Sequence, residues 1–218
     1  MRPLPAILVL AAGASTRMRG ADKLLEEIDG TPLILRAVRA ACAVSPEVIV
    51  ALPRDDRARA AWLSDTPART VRVAERAMSA SIRAGVAACR AEALTIHLAD
   101  MPEIDAAALQ TVADAWRRGA APILRATTAA GEPGHPVTFA RSLFADLTRL
   151  GGDGGARSLL SRHPADLVTL PDRAAVTDLD TPEAWAAWRA ARPVPASPVR
   201  STCRDASHRG QILARPPR

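Results

Sequence analysis

The chain has 218 residues, 48% hydrophobic and 24% charged, enough to enclose the core of one ordinary domain but not of two. It contains no run of about 18 uncharged apolar residues, so no membrane partner is expected. The net charge of +6 comes with 3% aromatic residues and no tyrosine; that leaves few rings to stack on bases, so no nucleic acid partner is expected.

The apolar run Ala6 to Leu10 ends in a glycine-bearing loop and reads as a buried strand. Read instead as the core of a signal peptide, it would place cleavage near Ala12 to Ala14 and remove that loop. Downstream, helical and extended patterns alternate: PLILRAVRAACAV, EVIVAL, RDDRARAAWL, TVRVA, SASIRAGVAACRA, ALTIHLAD, DAAALQTVADAWRRG and APILRAT. Apolar strands without polar alternation, separated by helices, predict an α/β fold: a doubly wound, mostly parallel sheet with helices on both faces. Ligands of such sheets sit outside the carboxyl ends of the strands, so chemistry is expected just after Leu10, Val73 and Leu98.

After Thr127 the residues Gly131, Pro133, Gly134 and Pro136 break the rhythm. This region reads as an insertion over the sheet edge, with a short strand VTF and a helix RSLFADLTRL. GGDGGARSLLSRH reads as a glycine turn opening a helix, and ADLVTL and AVTDL as two last short strands. TPEAWAAWRAA is the closing helix, with Thr181 as N-cap and Pro182 at its first position. These elements form one domain over residues 1–191; residues 192–218, rich in Pro, Arg and Ser and without sustained apolar period, read as a disordered basic tail. Cys42, Cys89 and Cys203 are widely spaced and form no CxxC pair, so reduced thiols and a cytoplasmic location are expected.

Three motifs carry chemistry. In LVLAAGASTRMRGADKLL a buried strand runs into a small-residue loop, and Gly13, Ser15, Arg17 and Lys23 gather backbone N–H groups and two cations at its carboxyl end. A polyphosphate suits such a loop, although neither a Walker A nor a GxGxxG spacing is present. In HLADMPEID a strand delivers Asp100 to the crevice, where a single carboxylate suits Mg²⁺ bridging phosphate oxygens; Asp105 is better placed to cap the next helix. In VTDLDTPEAW, Asp178 and Asp180 are two apart on an expected strand and share a face. Each is a candidate magnesium ligand beside Asp100, and Asp180 is equally a candidate cap.

Weaker signals complete the site. Ser79 and Ser81 at a helix start are candidates for a base or ribose, or ordinary N-caps. GHPVTF and GGDGGAR read as acceptor-side loops, with Arg157 able to grip a phosphate. His97 and His135 lack metal-pair spacing and read as satisfied buried or rim histidines. Trp185 and Trp188, at i and i+3, read as core packing.

Together LAAGASTRM with its downstream DK, LADMP, GHPVTF, GGDGGAR and DLDTPEA resemble the MobA-like NTP transferases, and among them the molybdenum cofactor cytidylyltransferase branch, over about residues 5–190. The resemblance implies triphosphate binding by Ala11, Ala12, Gly13, Ser15, Arg17 and Lys23, and Mg²⁺ at Asp100. It implies transfer of CMP from CTP to the terminal phosphate of molybdopterin with release of pyrophosphate, and a molybdoenzyme client of the xanthine-oxidase type. Guanylyltransferases of the family tend to read LAGG, so Ala12 points to CTP rather than GTP. Two departures stand out: Arg19 intervenes before Gly20, and Ala77 replaces a glycine before Met78. The alternatives are a guanylyl-, sugar-phosphate or polyol-phosphate nucleotidyltransferase of the same fold, or a carrier that delivers finished cofactor without catalysis.

Overall fold

The computed structural model describes residues 1–151 and 156–192. The glycine turn expected within GGDGGAR, Cys203 and the tail beyond Arg192 lie outside the described residues.

The chain opens with β1 (Ala6–Leu10), a small hairpin of β2 (Glu27–Ile28) and β3 (Thr31–Pro32), and α1 (Leu33–Val44). There follow β4 (Val48–Pro53), α2 (Arg57–Ala61), β5 (Arg69–Val73), α3 (Met78–Ala88), β6 (Ala93–Leu98), α4 (Ala106–Arg118) and β7 (Ile123–Thr127). Then come β8 (Pro133–Ala140), α5 (Phe144–Leu147), α6 (Arg157–Leu160), β9 (Ala165–Thr169) and α7 (Pro182–Ala191). The main sheet has seven strands in the order β5-β4-β1-β6-β8-β7-β9. All its pairings are parallel except those of β8, which runs antiparallel to both neighbours.

β1 and β4 are apolar throughout, and in β6 even the alternate polar residues Thr95 and His97 are buried, because both faces of the sheet are covered. Along β1, Ile7 and Val9 join the core beneath α1, α4 and α7, while Ala6 and Leu8 join the core beneath α3, α5 and α6. Each fully buried aliphatic side chain of this kind stabilises the fold by roughly 1.5–3 kcal/mol. Close approach requires glycine at Gly85: a Cβ there would lie 2.2 Å from Leu8 Cδ2, so α3 seats against β1 only without one. Asp105 and Thr181 cap α4 and α7 as expected, accepting from the backbone N–H groups of Ala108 and Ala184.

Three expectations are corrected. The short strand VTF is the middle of β8, which lies inside the sheet between β6 and β7 rather than over its edge. There Val137 and Phe139 reach the core, and Thr138 shares a 2.8 Å hydroxyl hydrogen bond with Thr95 on β6. AVTDL forms no strand, because its approach is a turn in which the N–H groups of Ala174 and Val176 donate to Pro171 and Arg173 carbonyls. RSLFADLTRL is a 3₁₀ turn followed by the four-residue α5 instead of one continuous helix.

Candidate functional site

The carboxyl ends of β1 and β6 are tied together beyond their last paired residues. Ala99 N–H donates to the Leu10 carbonyl at 3.2 Å, and Ala11 N–H donates to Ala51 on β4 at 3.0 Å. The loop after β1 therefore leaves the sheet beside the turn that carries Asp100. Leu179 N–H then donates to the Asp100 carbonyl at 3.2 Å, which draws Asp178 and Asp180 to the same edge. Gly134 fixes the other side of this segment: a Cβ there would lie 1.8 Å from the Ala175 carbonyl oxygen, while His135 N–H donates to that oxygen at 2.8 Å.

The outcome is a cluster of charges from three remote parts of the chain. Lys23, 8% exposed, donates to Asp100 and, at 2.5 Å, to Asp180. Exposed Arg17 reaches the second Asp180 oxygen at 2.5 Å. Burial disfavours the Lys23 ammonium, but the fields and hydrogen bonds of Asp100 and Asp180 outweigh it and raise its pKa above the ordinary lysine value. Asp178 is pushed the opposite way for a carboxylate: burial first, then the neighbouring Asp180 and Asp100 charges, raise its pKa. Asp180 thus spends its side chain on Lys23 and Arg17, and Thr181 alone caps α7.

A cavity of about 270 Å³ opens beside this cluster, bounded by Ala12, Gly13, Lys23, Arg76, Ser81 and Asp100. A Cβ on Gly13 would meet nothing within 4 Å, so the protein does not require glycine there; the free space lies where a ligand would approach the loop. Of the other expected nucleotide residues, Ala11 is buried beneath the cavity, and Ser15, at φ 51°, turns its hydroxyl to Asp22 at 3.3 Å. Ser81 borders the cavity, whereas Ser79 accepts from Arg83 at 3.3 Å. Neither serine is a cap: Ala77 holds the N-cap position of α3 with no side-chain bond. The extra residue Arg19 is absorbed in a left-handed turn at φ 52° and reaches Glu183 at the surface, leaving Lys23 in register with Asp100.

Buried Arg59, unmarked by the sequence reading, holds this loop from behind. From α2 its Nε and Nη2 grip both Asp22 oxygens at 2.7 and 2.8 Å, and its Nη1 donates to the Ala11 carbonyl at 2.6 Å. Asp22 in turn accepts from Leu24 N–H at 3.0 Å. The guanidinium fork thereby fastens both ends of the loop that carries Gly13 and Lys23. The only sequence signal was an arginine in a charged stretch, RDDRAR, which a solvated helix face explains equally well.

The donor set bears on a metal. Asp100 Oδ1 is buried with no hydrogen-bond partner, which suits a ligand not supplied by the protein. Among the described residues no three His, Cys, Asp or Glu side chains form a complete metal-binding group. A magnesium ion that keeps its waters and takes substrate phosphate oxygens needs only one or two carboxylates, so the residues fit such an ion. His97 is fully buried with both ring nitrogens unpartnered, so it is not the satisfied histidine expected; burial, then the field of His135, lowers its pKa to about 3. Trp185 is core as expected, edge-on to Trp188 at 6.2 Å.

Comparison with known proteins places this geometry. The chain is 37% identical over 117 residues to the molybdenum cofactor guanylyltransferase of Pseudomonas fluorescens (strain SBW25), covering 53% of this chain and 58% of that one. It is 34% identical over 155 residues to the bifunctional protein GlmU of Kineococcus radiotolerans, covering 67% of this chain and 28% of that one. The chain thus spans under two thirds of each of these curated relatives. In structure it is similar to Rv0371c from Mycobacterium tuberculosis H37Rv, with TM-score 0.75, 27% identity, and 86% and 98% of the two chains covered. A second crystal structure of that protein, in complex with manganese, aligns with TM-score 0.74 at 26% identity, covering 87% of this chain and 100% of that one. The MobA-like NTP transferase domain matches residues 7–167, and the chain belongs to that family.

Proposed function

We propose that this protein is a nucleotidyltransferase that moves a nucleoside monophosphate from an NTP onto the phosphate of a molybdopterin-type acceptor. The observation that carries this is the convergence of Lys23 and Asp100 at one cavity under the small-residue loop. Lys23 pairs with Asp100 and Asp180, and Arg17 with Asp180. An arriving triphosphate offers both cations a richer set of oxygens. Loop amides around Ala12 and Gly13 receive the phosphates, and Ser81 and Arg76 border the space left for the nucleoside.

Asp100, with Asp180 or Asp178, would hold Mg²⁺, which supplies charge neutralisation between phosphate oxygens. Manganese in a structural relative is consistent with a divalent ion. In the reaction an acceptor phosphate oxygen bonds to the α-phosphorus, the bond from that phosphorus to the bridging oxygen breaks, and pyrophosphate leaves with the electron pair. The acceptor is already ionised near neutral pH, so no side chain need remove a proton, and positioning and charge carry the rate.

On the base, the curated relatives favour guanylyl transfer: the Pseudomonas cofactor enzymes at 35–37% identity are guanylyltransferases. Cytidylyl transfer is the second reading, favoured by Ala12 bordering the cavity. Transfer of labelled α-phosphate from GTP and from CTP to molybdopterin, run in parallel, decides between them. Label reaching the acceptor from neither, with cofactor still bound in a calorimetric titration, would leave the carrier reading. Cys42 and Cys89 carry free thiols whose pKa values burial raises.

A further inference from the structure

We infer that the outer edge of β9 is a self-association surface, on which the β9 of a second copy of this chain pairs antiparallel about a two-fold axis at Leu167. β9 ends the sheet on one side, and among the described residues no strand lies beyond it. Leu170 N–H donates to the Thr127 carbonyl on β7 at 2.8 Å. Successive residues of a strand turn their backbone groups to opposite sides, so Asp166 and Val168 also face β7, while Ala165, Leu167 and Thr169 present their N–H and C=O groups outward.

The two edges of the sheet are finished differently. β5, at the far side, carries exposed Arg69 and Arg72, cations of the kind that keep an edge from pairing. The five residues of β9 include no Lys, Arg or Pro. Its one charge is turned back into the molecule, because Asp166 accepts from the backbone N–H groups of Ala120 and Ala121 at 3.0 Å each. Leu167, at the strand's centre, is 64% exposed. In a pair centred on Leu167 the two leucines stand directly opposite each other on one face, where cross-strand contact stabilises a sheet.

Charge complementarity selects a second copy as the occupant. Pairing Leu167 with itself sets Ala165 opposite Thr169, so outward-facing residues meet outward-facing residues along the whole strand. Carried past the strand ends, the same register sets Arg162 of each copy across from Asp172 of the other. Both side chains are exposed, and Arg162 uses only its Nε within the chain, on the Ser158 carbonyl at 3.0 Å. An ion pair thus closes the seam at each end. β9 is parallel to β7, and β7 and β6 are both antiparallel to β8, so β9 points the same way as β6. In the two-fold pair the nucleotide cavities therefore open on opposite edges of one continuous sheet, and pairing covers neither.

Sedimentation velocity of the full chain over a concentration series tests the assignment. A five-residue ladder is a small contact, so a reversible monomer–dimer equilibrium with a dissociation constant on the order of 10 µM is expected. Leu167→Arg sets like charges opposite each other at the axis and should weaken dimerisation at least about tenfold with the melting temperature unchanged. Arg162→Asp and Asp172→Arg, each alone, place like charges at both ends of the seam and should weaken it about tenfold. Mixed in equal amounts, these two variants regain opposite charges at both ends and should form a heterodimer of wild-type strength. A wild type that stays monomeric at about ten times the expected constant, dimerisation undisturbed by Leu167→Arg, or no heterodimer in the mixture would each overturn the proposal. Slow amide exchange across β9 in a monomeric chain would also overturn it, by giving that edge to another part of the same chain.

Discussion

Lys23 keeps its charge in a buried position because Asp100 and Asp180 face it from both sides. Removing either carboxylate charge unbalances the trio, yet the two act differently: Asp100 retains an unpartnered buried oxygen, and Asp180 is fully engaged with Lys23 and Arg17. Asp100→Asn, close in shape, is expected to lower the rate of nucleotide transfer by at least about a hundredfold while far-UV circular dichroism stays native. Activity within a few-fold of wild type would remove Asp100 from the reaction. Gly13 gives a complementary test, because its position is open in the protein itself. Gly13→Ala should leave the melting temperature unchanged or slightly higher, since alanine narrows the unfolded ensemble, and should weaken NTP binding in a calorimetric titration. Undiminished affinity would show that no phosphate passes close to that Cα.

At the scale of elements, α2 is a clamp on the loop after β1. Its Arg59 is 3% exposed and is held by Asp22, Asp56 and the Ala11 carbonyl. Breaking a buried pair strands the remaining charge, so Arg59→Met should lower the unfolding free energy by about 3 kcal/mol in urea denaturation and raise the KM for NTP. Asp22→Asn, which leaves the arginine other acceptors, should cost less stability while showing the same rise in KM. A destabilised Arg59→Met with unchanged KM would reduce the clamp to a purely structural part. The strands ending at Leu10 and Leu98, and hence the meeting of Lys23 with Asp100, were legible in the sequence because each is an apolar-rich run closed by turn residues, Gly13 after the first and Pro102 after the second. The inversion of β8 (PGHPVTFA) was not, because it carries two prolines and a glycine, and its pairing with β6 is made with partners over forty residues away, such as Thr95. The role of Arg59 was hidden for a related reason: nothing local distinguishes an arginine that points inward from one that points to water.

For the molecule as a whole, the sheet buries a histidine whose charged form the fold disfavours. The pKa of His97 is depressed to about 3, against about 6.5 in an unfolded chain. The stabilisation from keeping it neutral is fully present above pH 6.5 and is lost as the pH falls towards 3, because only the unfolded chain takes up the proton. Across that window His97 alone should reduce the unfolding free energy by up to about 1.4 kcal/mol per pH unit. Urea midpoints measured from pH 7 to pH 4 should show this slope, and His97→Gln should flatten it. An unchanged slope in the variant would assign the acid sensitivity to other groups.

The clustering of Lys23, Asp100 and Asp180 also sets an order of completion during synthesis. Lys23 precedes most of the strands and Asp100 follows β6, but Asp180 comes after all seven strands of the sheet, just before α7, whose Trp185 joins the core. A nascent chain can therefore lay down all seven strands of the sheet and the loop after β1 before it can close the charge cluster. A chain that stops before Asp180 would hold all seven strands of the sheet and leave Lys23 and Asp100 without their third partner.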